Sequence, residues 1–320
     1  MVGKIFLGVL LALLVLLLAA VVFFFLFAHR RRPPKPEAPS QMGPVRRAYL
    51  TQIEEGRVWL SQQPAQRVSI TSFDGLTLRG LYLPAEEPRA CVLLFHGYRS
   101  TGLRDFAPLL PFYHANHISF LLVDQRACGE SEGKYITFGI HERRDAAAWA
   151  DYMDRRLGGG TPLVLEGLSL GAATVMMAAG QPLPGTVRGI IADCGFTSPW
   201  DIIAHCARQQ FHIPLFPMLY LLSGFTRLAA GFGYRDCSTL DTLSRSQLPL
   251  LLIHGGADDY VPTYMTEQNY AAAAGPKRKV IVPGAGHAVS YLLQPQLCQR
   301  ELLSFLDGIL TEDASWPTKS

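Results

Sequence analysis

The sequence predicts an α/β fold with a mostly parallel β-sheet, preceded by one transmembrane helix, and three observations support that prediction. From about residue 90 onward, short apolar runs without polar alternation take turns with helix-length segments, which is typical of parallel strands covered on both faces by helices. Before them, two β-rich runs flank the turn dipeptide Asp74-Gly75 and predict an antiparallel hairpin at the start of the sheet. A long apolar run near the N-terminus adds one transmembrane helix.

The composition is that of a folded protein. The chain of 320 residues has room for one large domain or two small ones, and 49% hydrophobic with 17% charged residues excludes an intrinsically disordered chain. The formal net charge of +3 arises in residues 1–40, where five basic residues face the single acid Glu37. Because the remainder of the chain is close to neutral, no nucleic-acid partner is expected.

The N-terminal apolar run is long enough for a membrane anchor. Ile5 to Ala28 is an uninterrupted stretch of 24 uncharged residues. As a helix it would be about 36 Å long, whereas a bilayer core is about 30 Å thick. A cleaved signal peptide has a shorter apolar region and a small-residue cleavage site. The run therefore predicts an uncleaved transmembrane anchor over residues 5–28, after a short tail of residues 1–4.

The anchor is predicted to join the folded domain through a basic, Pro-rich linker over residues 29–44. The folded domain is predicted over residues 45–310, followed by a C-terminal tail over residues 311–320. The basic flank after the anchor outweighs Lys4, so the positive-inside rule favours a cytoplasm-facing domain. The six cysteines have no metal-ligand spacing, and no disulfide framework or metal site is expected.

The elements of the domain can be read in order. An amphipathic helix is predicted from Val45 to Ser61, before the hairpin. The predicted parallel strands are Cys91–Phe95, Ser119–Val123, Leu163–Leu165, Gly189–Ala192, Leu250–Ile253 and Lys279–Val282. Helices are predicted near Arg104–Tyr113, Ile140–Arg156, Leu170–Ala179, Thr263–Ala273 and Gln296–Ile309. Residues 196–246 interrupt this alternation with a nearly uncharged stretch, which predicts a helical cap insertion over the strand ends.

The motif Gly167-Leu168-Ser169-Leu170-Gly171 points to chemistry. It follows a predicted strand and precedes a small-residue helix, so Gly167 and Gly171 permit a sharp turn that exposes the hydroxyl of Ser169. That turn also places the serine at a helix N-terminus, where developing negative charge is favoured. Ser169 is therefore the candidate nucleophile.

A serine hydroxyl needs a base, and the usual base is a histidine oriented by a carboxylate. In a strand–turn–helix arrangement the acid and then the histidine follow the serine along the chain. His287, in a small-residue loop after the last predicted strand, is the only histidine after the segment 251–259. Asp258, just beyond a predicted strand, is the expected acid, with Asp259 and Asp193 as open alternatives.

An oxyanion formed on the substrate needs backbone donors. The N–H of Leu170, directly after the nucleophile, is one candidate donor. The other is the N–H of Tyr98, in the loop after a predicted strand, where Gly97 permits close approach of the backbone. In this interpretation His96 is a scaffolding residue. The mechanism requires no metal and no organic cofactor.

Taken together, these motifs resemble the α/β-hydrolase superfamily over residues 68–310. The matching segments are His96-Gly97, residues 124–131, Gly167–Gly171, residues 255–262 and Gly286-His287. Within the superfamily the chain is similar to membrane-anchored bacterial serine esterases of the lysophospholipase-like branch, a placement that residues 196–199 support. The resemblance implies the α/β-hydrolase fold, a bacterial cell membrane location and the same three catalytic residues. It departs at Ala127, where the family usually has glycine.

The function expected from the sequence is a membrane-anchored serine hydrolase that cleaves carboxylic esters. The apolar cap and the anchor favour an ester with a hydrophobic acyl chain, such as a lysophospholipid or a monoacylglycerol. A serine peptidase or an acyltransferase could use the same three residues. A non-catalytic membrane scaffold is the alternative from another class, and it is disfavoured because no member of the triad is missing.

Overall fold

An eight-stranded sheet is the framework of the computed structural model, which describes residues 2–32 and 47–311. Most of the predicted linker and C-terminal tail lies outside the described residues. The strands, numbered in chain order, are β1 (Gln66–Thr71), β2 (Thr77–Leu83), β3 (Ala90–Phe95), β4 (Ile118–Asp124), β5 (Leu163–Leu168), β6 (Val187–Asp193), β7 (Leu250–Gly255) and β8 (Lys277–Val282).

Helices cover both faces of the sheet. They are α1 (Val2–His29), α2 (Leu50–Ser61), α3 (Gly102–Phe106), α4 (Leu110–Ala115), α5 (Glu142–Arg156), α6 (Leu170–Ala178), α7 (Pro199–Gln209), α8 (Met218–Ala230), α9 (Thr239–Leu243), α10 (Thr263–Ala272), α11 (Ser290–Leu293) and α12 (Pro295–Leu310). The single helix predicted over Arg104–Tyr113 is wrong: α3 and α4 are separated by a 3₁₀ turn, Ala107–Leu109. Pro108 and Pro111 explain the break, because proline lacks the N–H that a continuous helix needs.

The sheet has the predicted mixed character. Its strand order is β1-β2-β4-β3-β5-β6-β7-β8. β2 pairs antiparallel with both β1 and β4, and all the other pairs are parallel. The first pair is the predicted hairpin: Thr71 lies opposite Thr77, and Gly75 takes a φ of 85° in the turn between them. This topology confirms the α/β-hydrolase fold.

Burial on both faces explains why the central strands lack polar alternation. In β3, Val92 and Leu94 pack into the core on one face, together with α12. Leu93 and Phe95 pack into the core on the other face, together with α5 and α6. Both sets are almost fully buried, so each position in the strand must be apolar. The sheet is thus a rigid support for the loops at its carboxyl edge.

A third apolar cluster lies above the carboxyl edge of the sheet. We call residues 196–246, which contain α7, α8 and α9, the cap segment. Leu219 and Leu222 of α8 pack in this cluster against Val21 and Phe25 of α1. The N-terminal helix is therefore in contact with the body of the protein, and residues 29–32, expected to begin the linker, lie against it as well.

Candidate active site

Ser169 lies at the sharp turn between β5 and α6. Its backbone has φ 56° and ψ −111°, a conformation that costs energy and is common at functional sites. A Cβ atom at Gly167 would lie 2.1 Å from the carbonyl carbon of Gly171, and one at Gly171 would lie 1.8 Å from the carbonyl oxygen of Phe95. The turn can therefore form only with glycine at both positions.

The structure brings Ser169, His287 and Asp258 into one chain of hydrogen bonds. The Nε2 atom of His287 lies 2.9 Å from the Oγ atom of Ser169, and its Nδ1 atom lies 2.7 Å from the Oδ2 atom of Asp258. An ionised carboxylate can only accept, so Nδ1 carries the proton and Nε2 presents its lone pair to the serine hydroxyl. This is the tautomer that a general base needs.

Asp258 is held in its ionised form. Its Oδ1 atom accepts the N–H groups of Tyr260 and Val261, at 3.0 and 2.9 Å. Although burial opposes the effect, the hydrogen bonds from His254 and His287 lower the pKa of the Asp258 carboxyl well below its usual range. A permanent negative charge therefore faces His287 at neutral pH.

Neither of the two alternative acids takes the place of Asp258. The side chain of Asp259 is exposed, although it is the sequence neighbour of Asp258. Asp193 accepts a hydrogen bond from Ser290 at 3.3 Å, and burial raises its pKa to about 6. Of the three acids, only Asp258 is hydrogen-bonded to His287.

His254 is a second imidazole on Asp258, and sequence reasoning missed it. It is fully buried at the end of β7, and its Nε2 atom lies 2.8 Å from the carbonyl oxygen of Val261 and 3.2 Å from Oδ2 of Asp258. Its Nδ1 atom lies 2.6 Å from Oγ1 of Thr266. Burial lowers the pKa of His254, but the hydrogen bonds with Asp258 and with the Val261 carbonyl, together with the nearby carboxylate charges, outweigh this and raise it overall.

The loop after β3 is fixed next to Ser169. A Cβ atom at Gly97 would lie 3.6 Å from the Cβ atom of Ser169, so the backbone of this loop passes close to the nucleophile. The carboxylate of Asp105 accepts the N–H of Gly97 at 2.8 Å and the hydroxyl of Ser100 at 2.6 Å. Because the N–H of Gly97 is occupied, the next donor along the loop is Tyr98.

His96 holds the same loop next to the end of β4. It is fully buried, and its Nδ1 atom lies 2.7 Å from the carbonyl oxygen of Gly97. Its Nε2 atom accepts the N–H of Gln125 at 3.1 Å, so the ring joins the ends of β3 and β4. This geometry agrees with the scaffolding interpretation, since neither ring nitrogen is available to a substrate.

Ala127 shows why glycine is usual at its position. Its φ is 58°, in the left-handed region that favours glycine. The N–H of Ala127 donates to the carbonyl of Glu132, which holds the loop in this conformation. The departure from the family pattern is therefore accommodated locally and does not reach the serine.

An apolar cavity of about 210 Å³ adjoins the site. Tyr98 and Tyr260 line it next to the reacting groups; the ring centroid of Tyr260 lies 5.0 Å from that of His287. Its other walls come from the cap segment, from the end of α1, and from Arg99 and Phe138. A cavity of about 150 Å³ holds a benzene-sized ligand, so this one accommodates a larger apolar group.

Cys194, Asp258 and His287 have potential metal-ligand atoms within 4.8 Å of one another. A metal ion would require the thiolate of Cys194. Burial raises the pKa of this thiol well above its usual value, which disfavours the thiolate. His287 and Asp258 are also joined to each other, so the donor set fits a proton-transfer chain better than a metal site.

The strand order, the nucleophile turn and the positions of the acid and the histidine define an α/β hydrolase. Residues 92–298 match the family described as the alpha/beta hydrolase family. The chain belongs to this family.

Relatives support the same assignment. The chain is 31% identical to an uncharacterized protein of Mycobacterium tuberculosis, over 78% of this chain and 81% of that protein. It is 26% identical to the uncharacterized protein YqkD of Bacillus subtilis, over 75% and 78% of the two chains. Among solved structures, the esterase Pf2001 of Pyrococcus furiosus superposes with a TM-score of 0.63 at 21% identity, covering 78% of this chain and 93% of that one. At this identity the superposition shows a shared fold.

Proposed function

We propose that this protein is a membrane-anchored serine hydrolase that cleaves carboxylic esters. The observation that carries the proposal is the hydrogen-bonded chain from Asp258 through His287 to Ser169, with an apolar cavity beside it. The family and the esterase fold neighbour agree with hydrolysis as the reaction.

In the proposed mechanism the Oγ atom of Ser169 attacks the ester carbonyl carbon while Nε2 of His287 accepts its proton. Asp258 stabilises the resulting imidazolium. The N–H of Leu170, the first of α6 and without an acceptor inside the helix, and the N–H of Tyr98 bind the oxyanion. His287 then protonates the departing alcohol, and a water that it deprotonates releases the acid from Ser169.

The proposed substrate carries one hydrophobic acyl chain, such as a lysophospholipid or a monoacylglycerol. The cavity walls are mainly aromatic and aliphatic, which suits an acyl chain and gives a peptide few polar partners. The described residues also include one helix, Lys4–His29, that is long and apolar enough to cross a membrane. An anchored enzyme meets such lipids at high local concentration.

A fluorophosphonate probe tests the nucleophile. The wild-type protein should be labelled and Ser169→Ala should not. Asp258→Asn should lower turnover by about 10⁴-fold, because the asparagine no longer fixes the base tautomer of His287. Asp259→Asn is the matched control, since its side chain is exposed and should leave turnover unchanged. Labelling of Ser169→Ala to the wild-type extent would refute the assignment of Ser169 as the nucleophile.

A chain-length series tests the substrate. p-Nitrophenyl esters from acetate to long chains should be hydrolysed with a preference for medium or long acyl groups. Hydrolysis of acetate alone would contradict the acyl-chain assignment. Aminoacyl amides and an added alcohol acceptor in the same assay distinguish a peptidase or an acyltransferase from an esterase.

We also propose a bacterial cell membrane location with the folded domain facing the cytoplasm. The basic residues Arg30, Arg31 and Arg32 directly follow the apolar helix and support this orientation. A reporter enzyme fused after Ser320 tests this orientation. A reporter that is active only in the cytoplasm should show activity, and a reporter that is active only outside the cytoplasm should not. The opposite pattern would reverse the orientation.

A further inference from the structure

The C-terminal part of α1 is built into the body of the protein. Along this helix the first buried position is Val21, followed at helical spacing by Phe25 and His29. The ring of Phe25 lies 5.1 Å from that of Phe225 in α8, centroid to centroid. Nε2 of His29 lies 2.7 Å from the hydroxyl of Tyr234. The helix is therefore fixed to the cap segment over about two turns.

Hydrogen bonds fix the end of the helix to the proposed oxyanion loop as well. The hydroxyl of Tyr98 donates to the carbonyl of Ala28 at 2.6 Å, and the guanidinium of Arg99 donates to the carbonyl of Phe27. Arg31 donates to the carbonyls of Gly129 and Ser131 at 2.9 and 2.7 Å. Hydrogen bonds therefore join α1 to loops at the active-site edge of the sheet.

The free part of α1 is too short to cross a bilayer alone. Residues 4–20 include no buried side chain, and they begin at the charge of Lys4. These residues span about 26 Å of helix, whereas a bilayer core is about 30 Å thick. The bilayer core must therefore surround α1 as far as about residue 23, which lies in the part of α1 that packs on the cap segment. A tilt of the helix would bring still more of its residues into the bilayer core.

The cap segment has the surface that such a position requires. Residues 209–226 contain no Asp, Glu, Lys or Arg. Outside α1, the described residues have nine exposed large hydrophobic side chains, and five of them belong to this segment: Phe211, Phe216, Tyr220, Leu221 and Leu228. Leu228 and Phe216 are 89% and 77% exposed, an arrangement that is costly in water and favourable in lipid.

The cavity beside the active site lies between these two apolar elements. Phe24 and Phe27 of α1 form one wall, and Phe211, Met218 and Leu222 of the cap segment form another. The rings of Phe24 and Phe27 lie 5.9 and 5.8 Å from that of Phe211, centroid to centroid. Both walls would border lipid if the core extends to residue 23.

We propose that the cap segment is immersed in the membrane leaflet next to α1, and that a single-chain lipid enters the cavity directly from the leaflet. The three residues 21–23 correspond to about 5 Å of depth, which is within the depth of about 5–10 Å reached by helices that lie in a membrane interface. The entry route rests on the proposed function, whereas the immersion of the cap segment can be measured independently of catalysis.

Photocrosslinking tests the immersion. The full-length protein is reconstituted in phosphatidylcholine and phosphatidylglycerol vesicles that contain a phosphatidylcholine with a diazirine in its acyl chain. After irradiation, mass spectrometry should find adducts on residues 211–228 as well as on α1. The control sites are Val58 and Phe73, which are 47% and 42% exposed on other parts of the body and should remain unlabelled. Adducts confined to α1 would overturn the proposal.

A kinetic experiment tests the entry route. Leu228→Asp and Phe216→Asp should lower hydrolysis of a long-chain ester in vesicles by about tenfold or more, because a carboxylate resists immersion. Hydrolysis of water-soluble p-nitrophenyl acetate should be unchanged, since neither residue lines the cavity. Val58→Asp is the matched control and should affect neither rate.

The outcomes separate the two proposals. A wild-type protein that shows cap adducts but no fluorophosphonate labelling and no acetate hydrolysis would refute the proposed function and leave the immersion intact. An active protein whose vesicle rate is insensitive to Leu228→Asp would refute the entry route.

Discussion

At the scale of single residues, Asp258 organises more of the site than its sequence position suggests. Its Oδ2 atom faces both His287 and the buried His254, and its Oδ1 atom accepts two backbone N–H groups. The carboxylate therefore has little freedom to rotate, and it fixes the plane in which the imidazole of His287 lies. His254 is a positioning residue in this arrangement.

The sequence allowed only part of this site to be predicted. Chain order singles out His287, because no other histidine follows the segment that contains the acid. The choice between Asp258 and Asp259 stayed open because both follow the same strand, and only the dihedral angles of the turn determine which side chain points inward. His254 was missed because a histidine inside an apolar strand is more often a packed core residue than a member of a site.

Glu166, the residue before the nucleophile motif, makes the stability of the fold depend on pH. It is buried and accepts a hydrogen bond from Tyr113; burial raises its pKa from 4.5 to about 8. Because this pKa is raised in the folded state, the contribution of Glu166 to the stability of the fold is fully present below about pH 4.5. That contribution is lost as the pH rises through about 8. The thermal midpoint of the wild-type protein in detergent should therefore fall between pH 6 and pH 9, by an amount that corresponds to roughly 1–3 kcal/mol.

Glu166→Gln is the test, because glutamine has the same shape and no charge to bury. The fall in the midpoint between pH 6 and pH 9 should be largely absent in this variant. Asp193 has the same sign of shift, but its pKa of about 6 places its effect at lower pH. An equal fall in Glu166→Gln and in the wild type would refute the assignment.

At the scale of elements, the tight turn from β5 to α6 depends on close contact between backbones. The neighbouring strand β3 approaches so closely that Gly171 touches the carbonyl of Phe95. The motif and its place between a strand and a helix could be predicted, because both signals are local. The break in the helix at Pro108 could also have been predicted from the proline, whereas the position of α11 depends on packing against α12 and has no local signal.

Gly171→Ala should destabilise the protein, by about 2 kcal/mol or more, and abolish fluorophosphonate labelling. The new methyl group would lie 1.8 Å from the carbonyl oxygen of Phe95, so the strand or the turn must move. Gly224→Ala is the matched control: a Cβ at this helical position meets nothing within 4 Å and should stabilise α8 by about 0.5–1 kcal/mol. Thermal unfolding and labelling of both variants are the measurements. Equal behaviour of the two would show that close packing at the turn is unimportant.

At the scale of the whole molecule, the N-terminal helix α1 and the folded domain are not two independent parts. The sequence predicts the helix from its length and composition, but it cannot predict the packing of Val21 and Phe25 on the cap segment. Residues 5–28 of this helix are all apolar, so hydrophobic periodicity, which normally reveals the buried face of a helix, carries no information there. His29 is the one polar residue on the buried face, and the sequence places it in a basic run that is typical of a solvated flank.

The contribution of α1 to the stability of the body can be measured with two phenylalanines on opposite faces of this helix. Phe25 is 2% exposed and packs against Phe225 and Tyr135, whereas Phe23 is 61% exposed. Phe25→Ala should lower the free energy of unfolding by about 3–5 kcal/mol, because the cavity it leaves lies inside the third apolar cluster. Phe23→Ala should change the free energy by about 0.5 kcal/mol or less. Thermal unfolding of the full-length protein in detergent, followed by near-ultraviolet circular dichroism, reports on the body alone. If Phe25→Ala and Phe23→Ala unfold at the same temperature as the wild type, the helix is only a tether and the immersion of the cap segment loses its support.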